Sequence, residues 1–290
     1  MQPPRRPEGV LRLEIQWYPG HMASARRMLE ENLKIIDAAI VMLDARLPYS
    51  SRNPDLDKLL KNKKQIFVLN KSDLADPEKT RLWLEYFHSG SYEAAQICAR
   101  SGSRRELLEM INRLLRPEIE SYRQRGINKT LRLLVCGIPN SGKSTLINML
   151  AGQARAKTGD KPGVTRGKQW IKVGEYMELL DCPGLLWPRL DDQQSAVRLA
   201  YTGAINDDTL DKEELALCLV KDLSAMYPQL LAGRYGVPVD TQPLETFDNI
   251  CLKRGFVLKG GRPDRLRGAE TILNELRSGR IGRVTFEQPL

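Results

Sequence analysis

An α/β fold, with a parallel sheet covered on both faces and a small all-α domain after it, is what this sequence predicts, on three observations. Short continuous apolar runs alternate with segments of helical spacing through the first 180 or so residues. A glycine-rich turn joins one of these runs to the helix that follows. From about Ala204 onward the strand signal fades and helical patterns continue alone. The expected division is 1–203 for the α/β domain with its N-terminal segment and 204–290 for the helical domain.

Ile36 to Leu43 is an apolar run ending at Asp44 and a Leu47-Pro48 break, and predicts a buried strand. Asp55 to Leu60 is helical in pattern, and Gln65 to Leu69 is a second buried strand running into Asn70. Pro77 to Phe87 predicts a helix whose apolar residues are Leu82, Leu84 and Tyr86, and Ala94 to Cys98 a weaker third strand. Arg104 to Tyr122 is a long amphipathic helix with Leu107, Leu108, Ile111, Leu114 and Leu115 on one side. Leu131 to Cys136 is the next strand and Lys143 to Leu150 the next helix. Gln169 to Val173 and Met177 to Leu180 are two further strands meeting at Gly174. Leu210 to Met226, Leu244 to Leu252 and Gly268 to Arg277 predict the closing helices.

The 290 residues carry 45 Lys and Arg against 36 Asp and Glu, a net charge of +9. Such an excess does little for an enzyme of small neutral substrates, but it attracts phosphate backbones at long range. Five scattered cysteines, odd in number and never in a Cys-x-x-Cys pair, argue against a disulfide framework or a zinc site and fit a reducing compartment. No apolar run is long enough to cross a bilayer, and prolines and glutamates near the start argue against a secretory leader. Cytoplasm is the expected location.

Gly137-Ile-Pro-Asn-Ser-Gly-Lys-Ser144 matches G-x-x-x-x-G-K-[ST] between a predicted strand and a predicted helix, the context the pattern requires. Amides of the turn and of the helix start, through Asn140, Ser141, Gly142 and Thr145, meet phosphate charge. Lys143 reaches the β- and γ-phosphates, and the Ser144 hydroxyl ligates magnesium. Asp181-Cys-Pro-Gly184 ends the last strand; Asp181 would hold magnesium through water and Gly184 would offer its amide to a γ-phosphate. Between them, Thr165 of Pro162-Gly-Val-Thr165 is placed to close on magnesium and sense the γ-phosphate.

Asn70-Lys71-Ser72-Asp73 follows the second strand. A carboxylate at Asp73 can accept from both guanine N1–H and the exocyclic amine, whereas adenine has the opposite polarity at N1 and lacks that amine. Lys71 lies along the base and Asn70 ties loops together. The nucleotide is therefore GTP or GDP. The order is unusual, because N-K-S-D precedes the phosphate loop, whereas in common GTPases it follows. A sheet can be opened at one loop and rejoined at another without moving its site.

This order, followed by a helical domain, resembles the circularly permuted GTPases, and most closely the ribosome biogenesis GTPase A family of the YlqF type. The resemblance rests on Trp17-Tyr-Pro-Gly-His21-Met, Asp44-Ala-Arg-Leu-Pro48, Asn70-Lys-Ser-Asp73, the phosphate loop, Pro162-Gly-Val-Thr165, Asp181-Cys-Pro-Gly-Leu185 and Gly268 to Gly282. It covers nearly the whole chain and implies a circularly permuted P-loop GTPase sheet. It also implies a base contact at Cys98-Ala99, where the family's Ser-Ala has lost a hydroxyl; the family's D-T-P-G reads Cys182 for threonine.

Leu185 stands where Ras-like enzymes place the glutamine that orients water. The resemblance points instead to His21, whose neutral imidazole can accept a hydrogen bond from water; the alternative is a structural residue of the N-terminal segment. Asn140 admits two readings, a ligand for a stimulating potassium ion and a turn residue held by its own side chain. Nine basic side chains between Lys253 and Arg283 face only Asp264, Glu270 and Glu275. They are expected to contact folded RNA through its backbone, and the resemblance supplies a large ribosomal subunit precursor as the partner. The expected protein is a monomer that binds no DNA and hydrolyses GTP in large-subunit assembly. The alternatives are a GTP-gated RNA-binding module with negligible turnover and, third, a P-loop kinase, in which N-K-S-D would have no role.

Overall fold

The structure is a computed structural model that describes residues 15, 20–152, 156, 169–187, 192–239 and 242–289, without the side chains of residues 20 and 21. Ten helices and six strands are described. Helix α1 is Gly20–Asn32, running into a short 3₁₀ turn at Leu33–Ile35. Then come β1 Ala38–Asp44, α2 Pro54–Leu59, β2 Lys64–Asn70, α3 Pro77–Ser89, β3 Glu93–Gln96 and α4 Arg104–Gln124. The phosphate loop lies between β4 Leu131–Gly137 and α5 Lys143–Ala151, and β5 Gln169–Val173 and β6 Met177–Asp181 follow. The remaining helices are α6 Gln193–Tyr201, α7 Lys212–Met226, α8 Pro228–Tyr235, α9 Pro243–Lys253 and α10 Arg265–Arg277.

The sheet order is β3-β2-β1-β4-β6-β5, with five strands parallel. The parallel sheet that the sequence predicts is there, with β5 added antiparallel to β6 at its edge. Only Gly174, Glu175 and Tyr176 join them, and a parallel return needs a crossover of a dozen residues or more. Chain order reverses between β1 and β4, which are neighbours although α2, β2, α3, β3 and α4 separate them in sequence. Such a switch point opens a crevice at the carboxyl ends of the strands. In register, Asp44 is opposite Asn70, Met42 opposite Gly137 and Val135 opposite Asp181, so the polar strand ends collect at one edge.

One sheet face buries Ile40, Met42, Val68, Leu133 and Val135 under Leu107, Ile111 and Leu115 of α4 and Leu146, Ile147 and Leu150 of α5. On α3 the buried residues are Thr80, Trp83 and Phe87, while Leu82 and Tyr86 are exposed. The sequence reading placed the apolar set on Leu82, Leu84 and Tyr86, a spacing of two that a helix cannot put on one face; the i, i+3, i+7 set is the one that packs. Phe87 stacks on Phe67 of β2 at 4.6 Å between centroids. Strand β3 ends at Gln96, so Cys98 lies beyond it in a loop.

The chain forms two compact units. The sheet unit takes the described residues from 20 to 187, together with 203–206 and 282–289; the helical unit takes Ile15, 192–202 and 207–281. The units therefore interleave along the chain, where the sequence suggests one cut after residue 203. In the helical unit α10 packs on α7 and α9 around Leu215, Leu219, Phe247, Ile250, Ile272 and Leu273. Helices α6 and α8 have no counterpart in the sequence reading. Among the described residues no single helix is long and apolar enough to cross a membrane.

Candidate functional site

At the carboxyl ends of the strands beside the switch point the phosphate loop meets the loop after β6 and the N-K-S-D turn after β2. Gly142 caps α5 with φ +93°, and Asn140 sits at φ +56°, so the loop curls back on itself before its amides reach the helix start. A Cβ on Gly142 would strike the Asn70 side chain, so glycine is required twice over. Lys143 is buried and donates to the Ile138 carbonyl at 2.8 Å; burial pulls its ammonium pKa below the ordinary lysine value. Ser141 is buried with its hydroxyl on the same carbonyl at 2.9 Å, and Thr145 is half-buried in the first turn of α5.

Asp181 is buried beside this loop. Its Oδ2 accepts from the Ser144 hydroxyl at 3.4 Å, and its Oδ1, also buried, has no hydrogen-bond partner among the described residues. Burial raises its pKa, with Lys143 and Ser144 opposing. A buried carboxylate oxygen without a donor, next to a hydroxyl, fits a hard cation with oxygen ligands. Among the described residues no three carboxylate, histidine or cysteine groups converge, so a magnesium ion here would share its ligands with phosphate oxygens. Thr165 lies outside the described residues.

Gly184 passes directly over the phosphate loop: a Cβ there would stand 2.6 Å from both Cα and N of Pro139. Leu185 follows, buried, donating its N–H to the Gly137 carbonyl at 3.1 Å and accepting at its own carbonyl from Asn53 Nδ2 at 2.9 Å. Asn53 also caps α2 through its Oδ1 and is itself buried. The residue after D-x-x-G is thus folded inward and fixed at both backbone atoms. The sequence reading passed over Asn53, although an asparagine directly before a proline is a recognisable helix start. Cys182 is buried with its thiol on the Val135 carbonyl, and burial pushes its pKa up to about 12, so it is inert.

At the base end, Asn70 is buried and bridges two loops. It donates to the Ser141 carbonyl at 2.8 Å and accepts from the Ala99 amide at 2.9 Å. Lys71, at φ +61°, places its ammonium on Asp44 at 2.9 Å. Arg46 is fully buried and grips the two Asp44 oxygens through Nε and Nη2 at 2.9 and 2.8 Å. Burial alone would raise the Asp44 pKa, but Arg46 and Lys71 together hold it well below the usual carboxylate range. Ser72 donates its N–H to the Ile97 carbonyl, and Asp73 is exposed, with no described residue bonded to its carboxylate.

Cys98 is half-buried beside Ala99, whereas Cys136, Cys182, Cys218 and Cys251 are buried. Maleimide labelling of the native protein is expected to modify Cys98 alone, and bound GDP to slow that reaction several-fold, checked by peptide mass mapping with and without nucleotide.

Asn140 has a role that neither sequence reading anticipated: its side-chain amide donates to the Gly203 carbonyl at 2.7 Å, tying the phosphate loop to the segment 203–206. His21 lies in α1, its side chain outside the described set. His88 is exposed, near the Ala94 carbonyl.

The basic run needs correction residue by residue. Arg254 pairs with Glu275, Arg265 with Asp248, and Arg277 with Asp207 and the carbonyls of Ala200 and Tyr201. Arg283 donates to the carbonyls of Ala75 and Ser72 in the sheet unit. These four are all engaged within the chain, Arg254 and Arg283 while exposed. Glu275 is no surface counter-charge either: it is buried, and its carboxylate accepts from Arg234, Arg254 and Tyr235. Lys253, Lys259, Arg262, Arg267 and Arg280 are exposed, and Lys259 and Arg262 sit on a tight turn closed by the Val257–Pro263 bridge, with Val257 and Leu258 also exposed.

The family described as 50S ribosome-binding GTPase matches residues 132–232. Ribosome biogenesis GTPase A of Bacillus cereus is 45% identical over 95% of this chain and 94% of its own. Mitochondrial ribosome-associated GTPase 1 of mouse is 31% identical over 95% of this chain and 90% of its own. The solved structure of YlqF from Thermotoga maritima in its GNP-bound form superposes with a TM-score of 0.66 at 26% identity, covering 92% of this chain and 98% of that one. With the phosphate loop, the N-K-S-D turn and this permuted order all in place, the chain belongs to the ribosome biogenesis GTPase A family and is a circularly permuted GTPase.

Proposed function

We propose that this GTPase binds and hydrolyses GTP to drive a late step of large ribosomal subunit assembly, with its helical unit contacting ribosomal RNA. The observation that carries the nucleotide part is Asn70, which fastens the phosphate loop and the Cys98-Ala99 loop to the same strand end. Phosphate and base sites are thereby held at a fixed separation, as one guanine nucleotide needs. Asp73 reads the base and Lys143 the phosphates, and the Gly184 amide lies against the phosphate loop where a γ-phosphate would end. Bound magnesium, held by Ser144, Asp181 and Thr165, would neutralise charge on the phosphates.

For the RNA part, the supporting features are the exposed Lys253, Lys259, Arg262, Arg267 and Arg280 and the ribosomal names of the relatives. Five exposed cations on the helical unit, Arg267 among them stacked over the Phe256 ring, suit backbone contact, which recognises shape more than sequence. Potassium stimulation through Asn140 belongs to the same proposal, with the Asn140 side-chain oxygen as ligand.

Leu185 favours a second reading, a GTP-gated RNA-binding protein with negligible turnover, because its buried position removes it from water activation. The proposal assigns that task to His21. Hydrolysis measured in potassium buffer with and without large ribosomal subunits separates the two. Stimulation on the order of tenfold or more is expected, and its collapse to the unstimulated rate in His21→Ala, in line with loss of a general base. No stimulation in the wild type would favour the second reading; stimulation that survives in His21→Ala would remove His21 from the chemistry.

A further inference from the structure

We propose that the C-terminal strap Arg283–Glu287 is a specificity-determining element for the guanine base, with Arg283 as its positioning residue. The inference rests on the reading of Asp73 as the base-binding carboxylate. That carboxylate is exposed and no described residue bonds to it, so the backbone from Lys71 to Asp76 alone sets its place. Within the turn the Leu74 N–H donates to the Lys71 carbonyl at 2.9 Å, but its second half is looser, the Ala75 N–H reaching the Ser72 carbonyl at 3.4 Å.

The strap holds this second half from outside. Arg283 donates Nε to the Ala75 carbonyl at 2.9 Å and Nη2 to the Ser72 carbonyl at 3.1 Å, so one planar fork spans the turn on both sides of Asp73 and Leu74. The Val284 N–H donates to the Leu74 carbonyl at 3.0 Å. The Thr285 hydroxyl accepts from the Asp76 N–H at 3.2 Å and donates to the Ala45 carbonyl at 3.0 Å. Below, Glu287 accepts from the backbone N–H groups of Tyr49 and Ser50, and Val284, Thr285 and Phe286 are buried. Every residue of the turn from Ser72 to Asp76 except Asp73 is bonded to the strap. A bidentate contact to guanine N1–H and the exocyclic amine tolerates little rotation, so a backbone fixed at each neighbour of Asp73 is what such recognition needs.

The test compares affinities for GDP and IDP, which share phosphates, ribose and N1–H and differ only in the exocyclic amine. Wild type is expected to prefer GDP. In Arg283→Met, which keeps the aliphatic length and loses the fork, GDP affinity should fall about tenfold, the scale of a misplaced charged hydrogen bond, with IDP changing by less than about threefold. Arg283→Lys should fail to restore the ratio, because one ammonium cannot span both carbonyls. Thr285→Val should shift the ratio the same way by a smaller factor, and it carries the test if Arg283→Met does not fold. GDP and IDP affinities that fall in proportion, or do not move, overturn the proposal and leave the strap a fastening for the fold. Equal binding of GDP and IDP by wild type would instead sink the reading of Asp73, and the inference with it.

Discussion

Replacement of Lys143 by alanine is expected to lower GTP affinity on the order of a hundredfold and to abolish measurable hydrolysis, since the phosphates lose the one point charge aimed at them. Lys143 is buried at the head of α5, where its ammonium donates to the Ile138 carbonyl of the phosphate loop itself. Its removal should therefore leave the fold intact, with a thermal midpoint within a few degrees of wild type. Titration with a fluorescent GTP analogue checks the affinity and a phosphate-release assay the turnover. Tight binding retained in Lys143→Ala would mean that the nucleotide is held elsewhere than in this loop.

The second large effect concerns stability. Asp44→Ala should cost about 3–5 kcal/mol, because it strands the fully buried Arg46 without its counter-charge. It also frees Lys71 from the 2.9 Å contact that holds it at the base site, so GDP affinity should fall together with stability. The pH dependence has a definite sign. The folded Asp44 pKa is depressed, so its stabilising contribution is complete above the unfolded value of about 3.9 and is lost only as pH falls further, through the lower folded value. The stability gap between wild type and Asp44→Asn should thus stay constant from neutrality to about pH 4 and narrow below it. Urea unfolding at a series of pH values measures this; a gap that closes near pH 6 would show that another group is responsible.

Both effects trace to residues whose legibility in the sequence differed. Lys143, Asn70 and Asp181 are readable because phosphate and base chemistry demand fixed residue types at short spacing, next to strands that declare themselves by unbroken apolar runs. The Asp44–Arg46–Lys71 cluster was visible only as a family motif, since its function depends on β1 and β2 lying side by side. The basic run hides a second layer of contacts. Counted as charge, Arg277 and Arg283 look like RNA contacts, but the carbonyls they bind belong to Ala200, Tyr201, Ser72 and Ala75, some 70 to 210 positions away. No local pattern encodes such pairs. Helix α8 is short, eight residues starting on Pro228 directly after Tyr227, and proline at the first helical position is its one local start signal.

The strap also changes what kind of object the helical unit is. Residues 203–206 and 282–289 both belong to the sheet unit, so residues 207–281 are a chain segment pinned at its two ends rather than a tail hanging from one. In polymer terms, the unfolded helical segment is a closed loop as long as the sheet unit stands. Closing a loop of that length covalently removes about 4 kcal/mol of chain entropy from the disordered state, and pinning at Gly203 and at the buried Val284–Glu287 draws on the same source. The helical segment accordingly has no loose end from which to fray.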